Sequence, residues 1–336
     1  MIDSSIKVLD CTLRDGGYYT NWNFDNNLVK NLIYNLSPGL VDIVELGYRK
    51  KSSVYKGKYF FTDENILSEF NFFDDQSYAI MIDFADIKSN SVDIIDELLP
   101  VESCNSVIST VRIACDFNDY TDHHLEYTIQ KVIDKGYRVC VNIMKCSLLT
   151  GDDTLKVTEK LDCYDLQVIY FADSYGALTT SKIIDIFSNI AGNSGTSLGF
   201  HGHDNMGCAF SNSLLAVDLG FEYIDGTVLG MGRGAGNTDL ETLCLHFNKF
   251  QNRLDQLNFS NLGKCFFSEL KSSHKWGYSN LYHLAANNNI HPSYIQLITN
   301  MTLDPHKCLE LIDFLIDNNC NTFNVDCIYT YLKEHE

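Results

Sequence analysis

The chain alternates short apolar runs with longer segments in which apolar residues recur every three or four positions. Eight runs are rich in β-forming residues: 6–13, 41–47, 78–84, 107–115, 138–144, 166–172, 197–203 and 223–229. Nearly continuous apolar runs of this length are typical of parallel strands that are buried on both faces. The pattern therefore predicts eight buried strands.

The segments between these runs read as amphipathic helices. In "FDNNLVKNLIYNLSPG", Asp25 is a candidate N-cap, apolar residues follow at helical spacing, and Pro38-Gly39 stops the helix. The segment "DHHLEYTIQKVIDKG" has the same design and ends at Gly136. Eight strand–helix alternations predict an α/β fold, a (β/α)8 TIM barrel.

The alternation stops near residue 255. The segment "HPSYIQLITNMTLDPHKCLELIDFLIDN" contains helical patterns only, with Asp304 as a candidate N-cap and Pro305 at the first helical position. We therefore predict two parts: a barrel over residues 1–255 and a helical C-terminal extension over residues 256–336.

Composition and charge narrow the functional class. The 336 residues are 45% hydrophobic, and the net charge of −19 argues against nucleic acid or an anionic membrane as the main partner. None of the 12 cysteines forms a C-x-x-C pair, and no signal peptide or membrane span is visible. These features favour a reduced, cytoplasmic protein.

Polar residues collect where the predicted strands end, which is the catalytic rim of a TIM barrel. Charges so close to apolar strands cost several kcal/mol if they are buried without partners, so a shared functional site is the simplest explanation. The candidates are Arg14, Asp15, Tyr18, Glu45, Arg112, Lys145, Asp173, His201 and His203.

"FHGHDNMG" places two histidines two positions apart, so that on a strand both side chains point to the same side. In a closed barrel the first, seventh and eighth strands are neighbours, and Asp15 can join His201 and His203. Two imidazoles and one carboxylate predict a divalent-metal site with open positions for substrate. Arg14 is placed to stabilise an oxygen that becomes negative, although an ion pair with Asp173 or Glu45 is the alternative.

The loop "GMGRGAGN" matches the glycine pattern of dinucleotide-binding turns, but it follows the eighth strand and no βαβ unit comes after it. Its glycines more plausibly let the backbone pass close to a metal or ligand. Asn237, at its end, either caps the next helix or faces the metal.

Together, "LDCTLRDGG", "ADSYGA", "GFHGHDNMG" and "GMGRGAGN" resemble the HMG-CoA lyase-like (DRE-TIM) metallolyases over roughly residues 6–245. Within that superfamily the chain is most similar to 4-hydroxy-2-oxovalerate aldolases. The resemblance implies a Mn²⁺ or Mg²⁺ cofactor on Asp15, His201 and His203, with Asn237 as a further ligand in the lyase branch. It also implies Arg14 as the group that stabilises a pyruvate enolate.

The chain departs from the aldolase pattern at Tyr18, where those enzymes carry a catalytic histidine. A tyrosine is a poor base near pH 7 but can serve as an acid, a proton relay or a hydrogen-bond donor. His123, His124 or a metal-bound hydroxide are alternative bases. Lys145 is a second departure, either an ion-paired lysine or a ligand for a substrate carboxylate or phosphate.

The function expected from the resemblance is a metal-dependent aldolase that cleaves or forms a 4-hydroxy-2-oxo acid, with 2-oxo acid and aldehyde substrates. Glu45, Arg112 and Asp173 are candidates for substrate contacts. The sequence leaves open whether the protein forms a homo-oligomer or binds a dehydrogenase partner. One alternative is a Claisen-type acyl-CoA synthase, for which the basic stretch 48–58 would receive the CoA phosphates. The other is a non-catalytic barrel used as a binding subunit.

Overall fold

Eight parallel strands form a closed barrel in which each strand pairs with its neighbours in the sequence and the last pairs with the first. The computed structural model describes residues 6–51, 57–90, 93–301 and 304–334. The strands are β1 (Lys7–Asp10), β2 (Ile43–Tyr48), β3 (Ser77–Asp83), β4 (Ile108–Asp116), β5 (Arg138–Met144), β6 (Val168–Asp173), β7 (Ser197–Gly202) and β8 (Tyr223–Gly226). The predicted (β/α)8 barrel is confirmed.

Helices connect the strands and cover the outside of the barrel. They are Asn26–Asn35, Glu64–Leu67, Phe84–Asn90, Ile94–Leu98, His123–Asp134, Gly151–Leu161, Thr180–Phe187, Ala209–Asp218 and Leu240–His246. Two short helical turns, Thr12–Asp15 and Gly17–Thr20, lie directly after β1. Single 3₁₀ turns occur at Lys58–Phe60, Ser103–Asn105, Phe117–Asp119, Cys146–Leu148 and Val228–Gly230.

The first strand is shorter than its apolar run predicts because the chain turns at Asp10. The carboxylate of Asp10 accepts hydrogen bonds from both the hydroxyl and the backbone amide of Thr12. The Thr12 hydroxyl in turn accepts a 2.9 Å bond from the amide of Val228, on the loop after β8. This clamp starts the helical turn Thr12–Asp15, so Asp15 lies at the barrel mouth and not on the strand.

The barrel interior is filled in its lower part by apolar residues and in its upper part by charged ones. Leu9, Ile43, Ala79, Cys140, Val168 and Tyr170 form the interior apolar cluster. Gly199 makes room for the ring of Tyr170, since a Cβ at position 199 would lie 2.4 Å from that ring. The larger core lies between the strands and the outer helices.

The C-terminal helices cover the rim of the barrel. They are Arg253–Leu262, Ser268–His274, Asn280–Asn287, Pro292–Asn300, Pro305–Asp317 and Val325–Glu334, with a π-helical turn at Gly263–Phe267. The predicted boundary after residue 255 falls inside the first of these helices. Residues as far as Trp276 pack into the barrel core, and a second core begins at Tyr282.

Hydrogen bonds tie the extension to the loops that carry the candidate site. The Tyr175 hydroxyl donates to the carbonyl of Asn321 at 2.7 Å, and the Trp276 indole donates to the carbonyl of Leu229 at 3.0 Å. Through these bonds the extension covers the βα loops.

The twelve cysteine thiols are all free in the structure. Within the described ranges, none of the helices combines the length and apolar character that crossing a membrane requires.

We predict that Asp25→Ala lowers the free energy of unfolding by about 1 kcal/mol, because Asp25 caps the helix Asn26–Asn35 by accepting from the amides of Asn27 and Leu28. Urea denaturation followed by circular dichroism measures the change. Lys30→Ala, on the exposed side of the same helix, is the control. Equal stability of the two variants would contradict the capping role.

Candidate metal centre and active site

Three side chains from neighbouring parts of the barrel meet at its mouth. Asp15 follows β1, His201 lies on β7 and His203 comes directly after β7. One oxygen of Asp15, Oδ2, is 3.4 Å from Nε2 of His201 and 3.6 Å from Nε2 of His203. The ligand atoms of the three residues all lie within 4.8 Å of one another, and the residues are buried. The structure thus brings together the three predicted ligands.

Both imidazoles are held so that Nε2 faces this common point. His201 donates from Nδ1 to the carboxylate of Asp225 at 2.9 Å, and His203 donates from Nδ1 to the backbone carbonyl of Arg233 at 3.2 Å. A carbonyl can only accept, so Nδ1 of His203 carries the proton and Nε2 of the neutral ring carries the lone pair. This arrangement is typical of metal-binding histidines.

Asn237 adds an amide to the same cluster. Its Nδ2 donates to Oδ2 of Asp15 at 2.5 Å, and its backbone is bridged to His203. It does not cap the following helix, because Asp239 does so by accepting from the amide of Thr242. Of the two roles that the sequence leaves open for Asn237, the structure favours the one at the metal site.

The protonation states of His203 and Asp15 suit a cation. Burial lowers the pKa of His203 to about 3, so this ring is neutral near pH 7. Burial favours the neutral form of Asp15, but the adjacent Arg14 guanidinium and the two imidazoles outweigh it and hold the pKa well below its usual range. Burial also disfavours charged His201, yet the carboxylates of Asp15 and Asp225 raise its pKa.

A closed ring of buried charges surrounds this site. Arg14 donates from Nε to Glu45 at 2.8 Å and pairs through Nη1 with Asp15 at 3.2 Å. Arg112 bridges Glu45 at 2.9 Å and Asp225 at 2.6 Å. His201, between Asp225 and Asp15, completes the ring. We refer to these six residues as the charge ring.

The residues present fit a divalent metal. Two guanidinium groups and three carboxylates leave the charge ring with one unbalanced negative charge when His201 is neutral. Nε2 of His201 and Oδ1 of Asn237 are buried without a hydrogen-bond partner. Unpartnered buried polar atoms cost about 1–3 kcal/mol each, a cost that a bound cation removes. Two histidines, one carboxylate and an amide oxygen are acceptable ligands for Mn²⁺ or Mg²⁺.

A second group of potential ligands, Cys11, His201 and Asp225, lies just beneath the first. Burial raises the pKa of the Cys11 thiol well above its usual value, so the thiolate that a metal requires is disfavoured there. Asp225 is already committed to Arg112 and His201. The upper group, with Asp15, is therefore the better metal site.

Glu45 and Arg112 differ from expectation, since the sequence analysis places them on a wall that contacts the substrate. Both side chains are fully buried and are joined to each other by an ion pair. The Arg112 guanidinium also lies over the ring of Tyr170, with Cζ 4.3 Å from the ring centroid. Glu45 and Arg112 therefore hold Arg14 and Asp225 in position.

Asp173 and Lys145 are likewise occupied by protein partners. The two oxygens of Asp173 accept from the amides of Ala177 and Leu178 at 3.0 and 2.9 Å, which shapes the loop after β6. Burial raises the pKa of Asp173 to about 6. Nζ of Lys145 lies 2.8 Å from Asp116. The ion-paired alternative for Lys145 is the one that the structure supports.

Tyr18 lies at the rim, where its ring packs edge-on against Trp22 at a centroid distance of 4.7 Å. Trp22 in turn donates to the carbonyl of Arg14, so the two residues share one support. Tyr18 also lines a cavity of about 780 Å³ between the loop after β1 and the C-terminal helices, beside polar residues that include Ser279 and Gln296. Tyr18 thus stands at an entrance to the rim.

His123 and His124, the alternative bases, belong to a separate group. They begin the helix after β4, where Nδ1 of His124 lies 2.9 Å from Asp122 and its side chain is 46% exposed. Together with Asp122 they form another potential metal-binding set.

Two residues of the site, Asp225 and Arg233, are not among those predicted from the sequence. Asp225 lies within the short apolar strand β8. A carboxylate at such a position indicates a nearby cation or hydrogen-bond donor, because a buried carboxylate requires a partner. Arg233 is the one charged side chain in "GMGRGAGN". The glycine pattern of this loop indicates a role for its backbone and gives no indication of a role for the Arg233 guanidinium.

We predict that His203→Ala weakens Mn²⁺ binding by more than about 100-fold, because loss of a ligand exceeds the 10–100-fold effect of outer-shell changes. Isothermal titration calorimetry measures the affinity. His124→Ala is the matched control from the exposed group. If His124→Ala abolished binding and His203→Ala did not, the metal site would lie at the start of the helix after β4.

We predict that Asp225→Asn weakens Mn²⁺ binding by about 10–100-fold, because Asp225 orients His201 without belonging to the favoured ligand set. The same titration applies. Glu222→Gln, just before β8, is the control, since the Glu222 carboxylate accepts from the Ser197 hydroxyl at the other end of the barrel. Unchanged affinity in Asp225→Asn would show that His201 needs no carboxylate to bind.

The known proteins that this chain resembles in sequence include enzymes. An oxaloacetate decarboxylase from Mycobacterium tuberculosis is 25% identical over 238 residues, which cover 70% of this chain and 68% of that protein. A 4-hydroxy-2-oxovalerate aldolase from Shewanella pealeana is 32% identical over 149 residues, 43% of this chain and 42% of the aldolase. The second alignment therefore spans less than half of either protein.

Solved structures share the architecture. The N-terminal domain of a Bacteroides vulgatus protein, provisionally assigned as an aldolase, superposes with a TM-score of 0.75 at 29% identity, covering 88% of this chain and 97% of that one. An HMG-CoA lyase from Brucella melitensis superposes with a TM-score of 0.62 at 16% identity, covering 80% and 99%, and shows the common fold. The HMGL-like family model matches residues 93–265. These matches support a lyase, and with the barrel and its four motifs they show that the chain belongs to the HMGL-like family.

Proposed function

We propose that this protein is a divalent-metal-dependent aldolase that cleaves or forms a 4-hydroxy-2-oxo acid by way of a pyruvate enolate. The observation that carries the proposal is the convergence of Asp15, His201 and His203 with the Arg14 guanidinium beside them. The aldolase-named relatives add support from the sequence side. The aldehyde half of the substrate is addressed below.

Asp15, His201 and His203, with the oxygen of Asn237, are the residues that would hold the metal. A divalent ion bound there would supply Lewis-acid polarisation of the 2-oxo group. The chain's own contribution is to keep His203 neutral, to hold both imidazoles correctly turned and to exclude bulk water, since these ligands are nearly inaccessible.

Arg14 is the group that would stabilise the enolate. Glu45 holds its Nε and Asp15 holds its Nη1, so the planar guanidinium is fixed before substrate arrives. A donor held in advance stabilises developing negative charge without a reorganisation cost. The 5% exposure of Arg14 keeps that interaction in a poorly solvated place, where it is stronger.

Tyr18 is the rim group available for proton transfer. In condensation, the C3–C4 bond forms from the enolate, and Tyr18 gives its phenolic proton to the aldehyde oxygen, which becomes the 4-hydroxyl; solvent then returns a proton to Tyr18. Cleavage reverses these steps. A phenol is a competent acid toward an alkoxide, so Tyr18 accounts for the proton of the 4-hydroxyl.

Decarboxylation of a 2-oxo dicarboxylic acid is the second candidate. It reaches the same enolate by loss of CO₂ and requires no base to take a 4-hydroxyl proton, which suits a chain with Tyr18 in place of the histidine. The Mycobacterium tuberculosis relative supports this alternative. Oxaloacetate turnover, measured beside aldol cleavage, distinguishes the two.

The Claisen-type synthase is less well supported. In the basic stretch 48–58, residues 52–56 lie outside the described residues. The other cations are engaged: Arg49 with Glu64, Lys50 with Asp83, Lys51 with Glu97, and Lys58 with Glu69. Binding CoA phosphates there would require breaking these pairs.

We predict that the wild-type protein with Mn²⁺ exchanges the methyl protons of pyruvate for deuterium, measured by NMR, and that Arg14→Gln slows the exchange by about 10²–10³-fold. Arg138→Gln is the control, because Arg138 begins β5 at the opposite end of the barrel and donates to Ser77 and Ser109. Absence of exchange in the wild type would remove the proposed function.

A further inference from the structure

Arg233 lies beside the candidate metal site. Its backbone carbonyl accepts the hydrogen bond that orients His203, so the residue is fixed next to a proposed ligand. Its guanidinium extends over the face of Tyr18, with Cζ 5.2 Å from the ring centroid. One residue therefore contacts the metal site through its backbone and Tyr18, which we assign to proton transfer, through its side chain.

Among the residues that the structure describes, the guanidinium has two polar partners, both at long hydrogen-bond distances. Nη2 donates to the carbonyl of Ser174 at 3.2 Å, and Nη1 lies 3.3 Å from Nε2 of His291. Nε is buried and has no hydrogen-bond partner. A guanidinium has five N–H donors, so most of its capacity is unused.

Arg233 also has no carboxylate counterpart. Arg14, Arg49 and Arg112, the arginines buried in the structure, each pair with at least one carboxylate. Within the described ranges, no acidic oxygen lies within 4.0 Å of the Arg233 side chain. A half-buried cation without a counterion is unusual in a chain with a net charge of −19.

The contact with His291 reinforces this point. Nδ1 of His291 is 3.3 Å from the amide of Ser293, which it caps, while Nε2 faces Arg233. A neutral imidazole accepts at only one nitrogen, so it cannot satisfy both donors. Burial, followed by the charge of Arg233, holds the pKa of His291 well below its usual range, so the ring is neutral. At least one N–H group here lacks an acceptor.

We propose that Arg233 binds an anionic group on the aldehyde half of the substrate, so that the acid formed or cleaved carries a terminal carboxylate or phosphate besides its 2-oxo acid end. A planar guanidinium with free donors binds either anion in a bidentate manner. The proposal rests on the proposed aldolase function and specifies its substrate class. Arg233 is the specificity-determining residue, and Tyr18 lies between it and the cavity.

The experiment compares matched aldehydes in condensation with pyruvate and Mn²⁺. Succinic semialdehyde is paired with butanal, and glyceraldehyde 3-phosphate with glyceraldehyde, and kcat/KM is measured for each. We expect the wild type to prefer the anionic member of at least one pair by tenfold or more, on the order of one hydrogen-bonded charge pair. The pair with the larger preference identifies carboxylate or phosphate.

Arg233→Gln should reduce that preference by about tenfold or more, whereas Arg138→Gln should keep it. Arg233→Lys, which keeps the charge but loses the bidentate geometry, should fall between the two. A preference that survives in Arg233→Gln, or no preference in the wild type, overturns the assignment. Pyruvate deuterium exchange by the wild type is recorded first, so failure of the aldolase function is recognised separately.

A binding measurement without metal gives an independent readout. In EDTA, inorganic phosphate or succinate should raise the thermal unfolding temperature of the wild type and of Arg138→Gln by mass action, but not that of Arg233→Gln. If all three proteins respond equally, the anion binds elsewhere, and the proposal fails whatever the enzyme assays show. Circular dichroism of Arg233→Gln checks that the variant is folded.

Discussion

The pairing of buried charges at the mouth of the barrel is the constraint on which the active-site region depends. Asp15, Arg14, Glu45, Arg112, Asp225 and His201 each contact the next member, and the last contacts the first. Removing one partner from a buried pair typically costs about 3–5 kcal/mol because a charge is left uncompensated. The ring therefore holds its members in one arrangement, and one of its edges, between Asp15 and His201, faces the candidate metal position.

The loop after β8 performs two tasks at this mouth. Its backbone closes the site, because the Arg233 carbonyl orients His203 and Asn237 bonds Asp15. Its glycines permit that path: Gly234 and Gly236 have φ values of +72° and +112°. The C-terminal helices then cover the loop, since the carbonyl of Gly234 accepts from the hydroxyl of Tyr19, which lies 3.4 Å from the hydroxyl of Tyr282. The C-terminal helices and the candidate metal site are therefore connected through the loop after β8.

Tyr18 and Arg233 together define how this chain differs from the aldolase pattern that it resembles. Tyr18, with the Arg233 guanidinium over its ring, provides a phenolic hydroxyl and a neighbouring positive charge where the aldolase pattern has an imidazole. Such a pair suits an anionic aldehyde, because the cation attracts the substrate while the phenol supplies a proton to the nascent hydroxyl. In the proposed reaction, different residues would therefore act on the enolate and on the aldehyde.

The sequence by itself determined the barrel and which residues meet at the candidate metal site. Eight apolar runs specify buried parallel strands, and the i, i+2 spacing of His201 and His203 places both imidazoles on one side. Only the tertiary structure decided the roles of Glu45, Arg112, Asp173 and Lys145, which bond to protein groups. The positions of the strands in the sequence predict which residues reach the rim. Which charged side chains pair there depends on distances between residues far apart in the chain, such as the 2.6 Å between Arg112 and Asp225. Those distances exist only once the barrel has closed.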